Sequence, residues 1–194
     1  SYGEDMIDLQ TAVEKFDIHD ANKGAANFNT QKLDWFNSRY MGQMTGEALL
    51  GAVQPFLSTQ ITDAQASRLT KGLPGLAKRA KRLTDLAQGA EIYLKERPLT
   101  LDDNARNALD VAVDTDVIDR LGLLKNALES AKIWESDALD AAIADFIKTH
   151  DLRMPQLGKP LRAALLGTTQ APALGEIMVT LGREETLARL SEFT

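Results

Sequence analysis

From residue 135 to 149 the chain reads Glu-Ser-Asp-Ala-Leu-Asp-Ala-Ala-Ile-Ala-Asp-Phe-Ile-Lys-Thr. Its apolar side chains Leu139, Ala142, Ile143, Phe146 and Ile147 recur at the i, i+3, i+4, i+7 spacing of one helix face. The acids come early, and Lys148 and His150 come late, as the helix dipole prefers. Thr62-Asp63-Ala64-Gln65 has the form of a capping box, in which threonine caps the first amides and Gln65 reaches back. Strand signals are weak. Val111-Ala112-Val113 and Ile177-Met178-Val179 are short and set among Ala and Leu, and no Asn-Gly or Asp-Gly turn occurs. The expected fold class is therefore all-α, a multi-helix bundle of about ten modest helices. Breaks are expected at 42–46, 55–62, 72–75, 97–102, 115–116, 152–158, 167–171 and 182.

A chain of 194 residues suits one ordinary domain or two small ones. Its 44% hydrophobic and 26% charged content is that of a globular protein, and no run approaches the roughly eighteen apolar residues of a membrane span. Ser1-Tyr2-Gly3-Glu4-Asp5 has neither a basic n-region nor an apolar h-region, so no signal peptide is expected. Without an initiator Met, the chain reads as an excised fragment or a processed product. The absence of cysteine excludes disulfides, thiolate catalysis and Cys-ligated zinc, and it suits a reducing cytoplasm. His19 and His150 are far apart, so both are read as surface or cap residues and no metal site is expected.

The formal charge of −6 hides an uneven distribution. Between Arg68 and Arg97 stand eight cations and three acids, whereas the remainder carries 14 cations and 25 acids. Such a chain can steer a polyanion to one face. Pro74 is expected to open a helix whose buried stripe is Leu76, Ala80, Leu83 and Ala87. Lys78, Arg79, Lys81 and Arg82 then spread over the opposite face, where a phosphate backbone would turn mutual repulsion into attraction. The plainer alternative is a solvated face that keeps the domain soluble.

A second segment, Arg153 to Gly175, holds three cations and no acid. Lys159 and Arg162 are candidate contacts to phosphates or splayed bases. Equally, Pro160 at a helix start and Gly167 just past a helix end would make the segment a set of caps and turns. In a third segment, Leu33, Phe36 and Tyr40 share a helix face flanked by Trp35. These aromatics are read as packing residues, with Lys32 and Arg39 as weaker contact candidates.

The closing block runs Lys159-Pro160-Leu161-Arg162-Ala163-Ala164-Leu165-Leu166-Gly167, Ala171-Pro172-Ala173-Leu174-Gly175-Glu176, Leu181-Gly182-Arg183-Glu184 and Leu187-Ala188-Arg189-Leu190. With Lys32-Leu33-Asp34-Trp35-Phe36-Asn37 and the preceding Asn22-Lys23-Gly24-Ala25-Ala26-Asn27-Phe28, it resembles the C-terminal anticodon-binding region of bacterial glutamate–tRNA ligases, a class I aminoacyl-tRNA synthetase family. The resemblance implies two helical subdomains of the anticodon-binding type. Residues 1–45 would form an N-terminal helical layer, 46–98 the first subdomain and 99–194 the second. It also implies a tRNA partner met by Lys78, Arg79, Lys81, Arg82, Lys159 and Arg162, with Arg79 or Arg82 the candidates for separating glutamate from glutamine anticodons.

The parent enzyme would form glutamyl-tRNA through a glutamyl-adenylate, with ATP and Mg. It would be cytoplasmic and monomeric, with no membrane or DNA partner. Gln170-Ala171-Pro172-Ala173 departs from the Gly-Pro or Pro-Gly commoner in that family's turn. No His-Ile-Gly-His or Lys-Met-Ser-Lys-Ser motif is present and no P-loop replaces them, so no catalytic residue and no cofactor is assigned to this chain. The rival reading is an all-α protein-interaction scaffold whose basic patch meets an acidic partner. Supplied with ATP, labelled glutamate and tRNA, the chain alone is expected to yield no acid-precipitable glutamyl-tRNA.

Overall fold

The computed structural model describes residues 9–20 and 29–194. Ser1–Asp5 and the 22–28 stretch that entered the resemblance lie outside the described residues. Among those described there are eleven α-helices and no strand, so the all-α expectation holds. They are α1 (Leu9–Lys15), α2 (Thr30–Met41), α3 (Gly46–Val53), α4 (Asp63–Ala77), α5 (Leu83–Leu94), α6 (Asp103–Ala108), α7 (Val117–Glu129), α8 (Ser136–Thr149), α9 (Met154–Leu166), α10 (Leu174–Leu181) and α11 (Arg183–Leu190). Short 3-10 turns stand at Ile18–Asp20 and Gln54–Phe56. Of the two weak strand signals, 111–113 is a turn and 177–179 lies inside α10.

Local signals decide most helix ends. The Thr62 hydroxyl accepts from the Gln65 amide at 3.3 Å while the Thr62 amide donates to Gln65 Oε1 at 2.9 Å, closing the box that starts α4. On α8, Leu139, Ile143 and Phe146 are buried as the stripe requires, whereas Ala142 is exposed. His150 follows that helix, its amide donating to the Phe146 carbonyl at 3.0 Å.

Two prolines behave otherwise than expected. Pro74 does not open a helix: α4 runs through 72–75 without the expected break. Proline removes the amide that would reach Thr70 O, four residues back. Gly46 of α3 packs directly on that carbonyl, where a Cβ would collide with the oxygen. The lost bond thus lies in the last turn, under a close interhelical contact. Pro160 likewise sits inside α9, which starts earlier, at Met154 with Pro155 in its first turn.

Helix α4 packs against α3 and α5, while α9 is flanked by α6, α7 and α11. Helix α10 joins these groups, packing on both α4 and α8. Leu69, Leu73, Tyr93, Leu121, Leu161 and Ile177 belong to one continuous buried cluster. The loop after α5 containing Pro98 therefore separates groups that share a core.

At the junction of three helices lies Arg189 of α11, fully buried. It donates to Lys95 O and Leu165 O, both at 2.6 Å, and to Glu185 Oε1 at 2.7 Å. Lys95 Nζ reaches Leu166 O at 3.0 Å, Arg68 reaches Tyr93 O at 2.9 Å and Gln65 reaches Leu94 O at 2.8 Å. These are end-of-helix carbonyls of α5 and α9 that have no partner within their own helices. Cations at helix C-termini also meet the negative end of the dipole.

Burial raises the Glu185 pKa, but the hydrogen bond from Arg189 and the charges of Arg189, Arg97 and Arg68 outweigh it and hold it below 4.5. Its stabilising charge is complete above that ordinary value and is lost as pH falls through the depressed one. Arg189→Met should cost about 3–5 kcal/mol in denaturant unfolding. It should also flatten the acid limb of the stability curve, because Glu185 loses the partner that lowers its pKa.

Candidate nucleic-acid interface

The four clustered cations do not lie on a helix face. Helix α4 ends at Ala77 and α5 begins at Leu83, so Lys78, Arg79, Lys81 and Arg82 occupy the turn between them, all exposed. This corrects the expected helix from Pro74 while preserving its burial pattern. Ala80 and Ala87 are buried, and Leu76 and Leu83 pack against the core half-buried. Buried Ala80 anchors the middle of the turn with two cations on either side.

Asp85 pins the second half. Its Oδ2 accepts from the Lys81 amide at 3.2 Å and the Arg82 amide at 3.1 Å, placing a carboxylate in the first turn of α5 where the dipole favours it. Asp34 of α2 takes the Arg82 side chain in a two-pronged pair, Nε to Oδ1 at 2.8 Å and Nη2 to Oδ2 at 3.3 Å. That hydrogen bond, aided by the charges of Arg82 and Lys81, holds the Asp34 carboxyl below its ordinary value against a smaller effect of burial. The hydrogen bond that Arg82 donates to Asp34 in turn raises the Arg82 pKa. Lys78 approaches Glu176 of α10 at 4.0 Å with 72% of its side chain exposed, a geometry worth little. Arg79 and Lys81 have no ion-pair partner among the described residues.

The second segment divides. Lys159 is exposed on α9 and lines a polar groove of about 500 Å³ with Asn104, Asn107, Gln156 and Thr169. Arg162 is half-buried and turned inward: Nε donates to Pro172 O at 3.3 Å and Nη1 to Gly158 O at 3.2 Å. Burial lowers its pKa, opposed by the charge of Asp140, and Asp140 also accepts the Gly175 amide at 2.9 Å. Arg162 therefore closes the loop between α9 and α10. Gly167, at φ 71°, ends α9 in the left-handed conformation expected of a glycine just past a helix.

The basic turn and this loop meet across a cavity of about 180 Å³ whose lining includes Lys71, Lys78, Ser136, Pro172 and Glu176. Glu176 Oε2 is buried there without a hydrogen-bond partner. Tyr93 lines the same cavity, and burial pushes its hydroxyl up to about 12 against a hydrogen bond with Thr180.

The aromatics of α2 are partly buried: Trp35 and Phe36 are half-buried and Tyr40 is exposed. Met41 is its one buried residue, while Tyr40 and Leu33 are 49% and 44% exposed. Trp35 meets Phe36 edge-on with ring centroids 5.2 Å apart, and Arg39 lies over the Trp35 ring at 5.7 Å. A shared face at helical spacing buries its residues only where another element covers it. Sequence reasoning also missed the acids Asp34, Asp140 and Glu176, whose partners are distant in sequence. Asp85 was accessible, three residues after Arg82 at the third position of α5. No group of three potential metal ligands occurs among the described residues, and no described helix is long and apolar enough to cross a membrane.

A family model described as an anticodon binding domain matches residues 48–194. The chain belongs to that family. It is 36% identical over 202 residues to glutamate–tRNA ligase 2 of Chelativorans sp. (strain BNC1), an alignment covering 99% of this chain and 42% of that ligase. It is 35% identical over 205 residues to glutamate–tRNA ligase 2 of Brucella ovis, with the same two coverages. Among solved structures, the glutamate–tRNA ligase of Elizabethkingia meningosepticum CCUG26117 superimposes with a TM-score of 0.72 at 23% identity, over 96% of this chain and 36% of that one. The Elizabethkingia anophelis enzyme gives 0.69 at 22%. At that identity the likeness shows the fold, which agrees with the anticodon-binding type expected. The chain spans less than half the length of the ligases it matches.

Within this anticodon binding domain, Arg162 and Lys159 should separate by stability. Arg162→Met removes the donor to the Pro172 carbonyl and should cost about 1–2 kcal/mol in chemical denaturation. Lys159→Met should stay within about 0.5 kcal/mol of the parent chain.

Proposed function

We propose that this anticodon binding domain holds tRNA for a glutamate–tRNA ligase, with the turn between α4 and α5 as its principal phosphate contact. The observation that carries this reading is the state of Arg79 and Lys81. Both are exposed cations without an acidic partner among the described residues, on a turn pinned by buried Ala80 and by Asp85. A fixed array of unneutralised cations in a chain of net charge −6 gains most from a polyanion, whose condensed counterions are released on contact. Lys78 flanks them with a weak ion pair that a phosphate can replace, and Arg82, held by Asp34, keeps its exposed side chain beside them. Lys159 adds a separate cation beside amide-bearing Asn104, Asn107 and Gln156, groups suited to base edges and sugar hydroxyls. Arg162 serves this site by shaping the loop at Pro172.

The ligase as a whole would join glutamate to tRNA with ATP and Mg in the cytoplasm, as a monomer, and this domain would position the tRNA. Its binding to tRNA should weaken linearly in log affinity with log salt. The double substitution Arg79→Ala with Lys81→Ala should lower that slope by about two, one for each lost phosphate contact, with an unchanged unfolding midpoint. Fluorescence anisotropy of labelled tRNA over a salt series measures both. A flat salt response, or equal affinity for an acidic protein, would leave the basic turn without this role.

A further inference from the structure

Between α2 and the basic turn lies a second cavity, of about 380 Å³, lined by Gln31, Asp34, Trp35, Ser38 and Lys81. It joins a helix outside the family match, which begins at residue 48, to a turn inside it. We propose that this cavity receives one unstacked nucleobase of the bound RNA, with Trp35 as its stacking face and Lys81 on the adjoining phosphate. The inference rests on the tRNA reading above and assigns α2 a part in it.

The chemistry of the lining selects a base. Single-stranded RNA is held by pairing a cationic track with an aromatic face, because every base offers a π-surface and every nucleotide a charge. Here both lie in one cavity: the Trp35 indole from α2 and the Lys81 ammonium from the turn. Asp34 disfavours a phosphate inside the cavity but can accept a hydrogen bond from an N–H on a base edge. Its carboxylate has acceptor sites beyond the two that Arg82 occupies. Gln31 supplies both donor and acceptor, and Ser38 a hydroxyl, at the same rim. The Arg82–Asp34 pair ties α2 to the turn, so the indole and the ammonium are held together before RNA arrives. Arg39, over the indole at 5.7 Å, adds positive charge beside it.

Tryptophan emission tests this directly. Trp134, the other tryptophan, donates its indole N–H to Met178 O at 3.0 Å and serves as an internal reference. The 194-residue chain is titrated with a stem–loop RNA carrying an unpaired loop, and separately with a fully paired duplex of equal nucleotide count. Anisotropy of the labelled RNA reports binding in parallel. The stem–loop should quench emission on binding and the duplex should not. Trp35→Phe should abolish the quenching while the stem–loop still binds, and Trp35→Ala should weaken binding about tenfold, with circular dichroism reporting helix content. The proposal fails if the stem–loop binds without quenching, if the duplex quenches equally, or if quenching persists in Trp35→Phe. Absence of binding by either RNA would instead remove the tRNA reading, and this inference with it.

Discussion

The architecture depends on one buried guanidinium. Helices α5 and α9 end close together, and each brings carbonyls that its own helix cannot satisfy. Arg189 donates to Lys95 O at the end of α5 and to Leu165 O in the last turn of α9, while Glu185 balances its charge. Lys95 returns the favour to Leu166 O, so two cations join two helix ends. An apolar side chain could fill that volume but could not meet those acceptors. A buried charge is tolerable only when paired and fully hydrogen-bonded, and here the partners come from three helices at once. The start of α5 is thereby placed as well, and with it the basic turn before it.

That turn gathers positive charge, which by itself opposes folding. Three local devices hold it. Ala80 is buried, Asp85 accepts two successive amides, and Asp34 binds Arg82 from another helix. None of the three forms an ion pair with Arg79 or Lys81. The turn is pinned in backbone yet keeps exposed cations outside any ion pair, which supports the proposed contact with a phosphate chain.

Much of the fold was legible in the sequence because its signals are local. The capping box at Thr62, the stripe on α8 and the glycine after α9 each act over one or two turns, and the structure contains them all. The closing block, which carried the resemblance, lies inside the stretch that the family model matches. Pro74 and Pro160 were misplaced as helix starts because proline removes one helical bond and crowds the preceding turn without always ending the helix, and at Pro74 the freed carbonyl has another contact. At Thr70 the close approach of Gly46 provides one, from a helix about 25 residues earlier. The α2 aromatics divide instead: Trp35 and Phe36 are half-buried against each other, whereas Tyr40 is 49% exposed.

By itself, the sequence determined the all-helical class, most helix ends, the family and the presence of a basic segment. Each follows from residue type and short-range spacing. Only the tertiary structure decided what individual charges do. Arg162 and Lys159 stand three residues apart on one helix, yet one ties two carbonyls of its own fold and the other lies exposed beside a polar groove. Arg189, in the closing block, is the most enclosed cation among the described residues. Charge is written in the sequence, but its partners are set by distance in space, and a cation is available to a ligand only where folding has left it without an acid or a carbonyl.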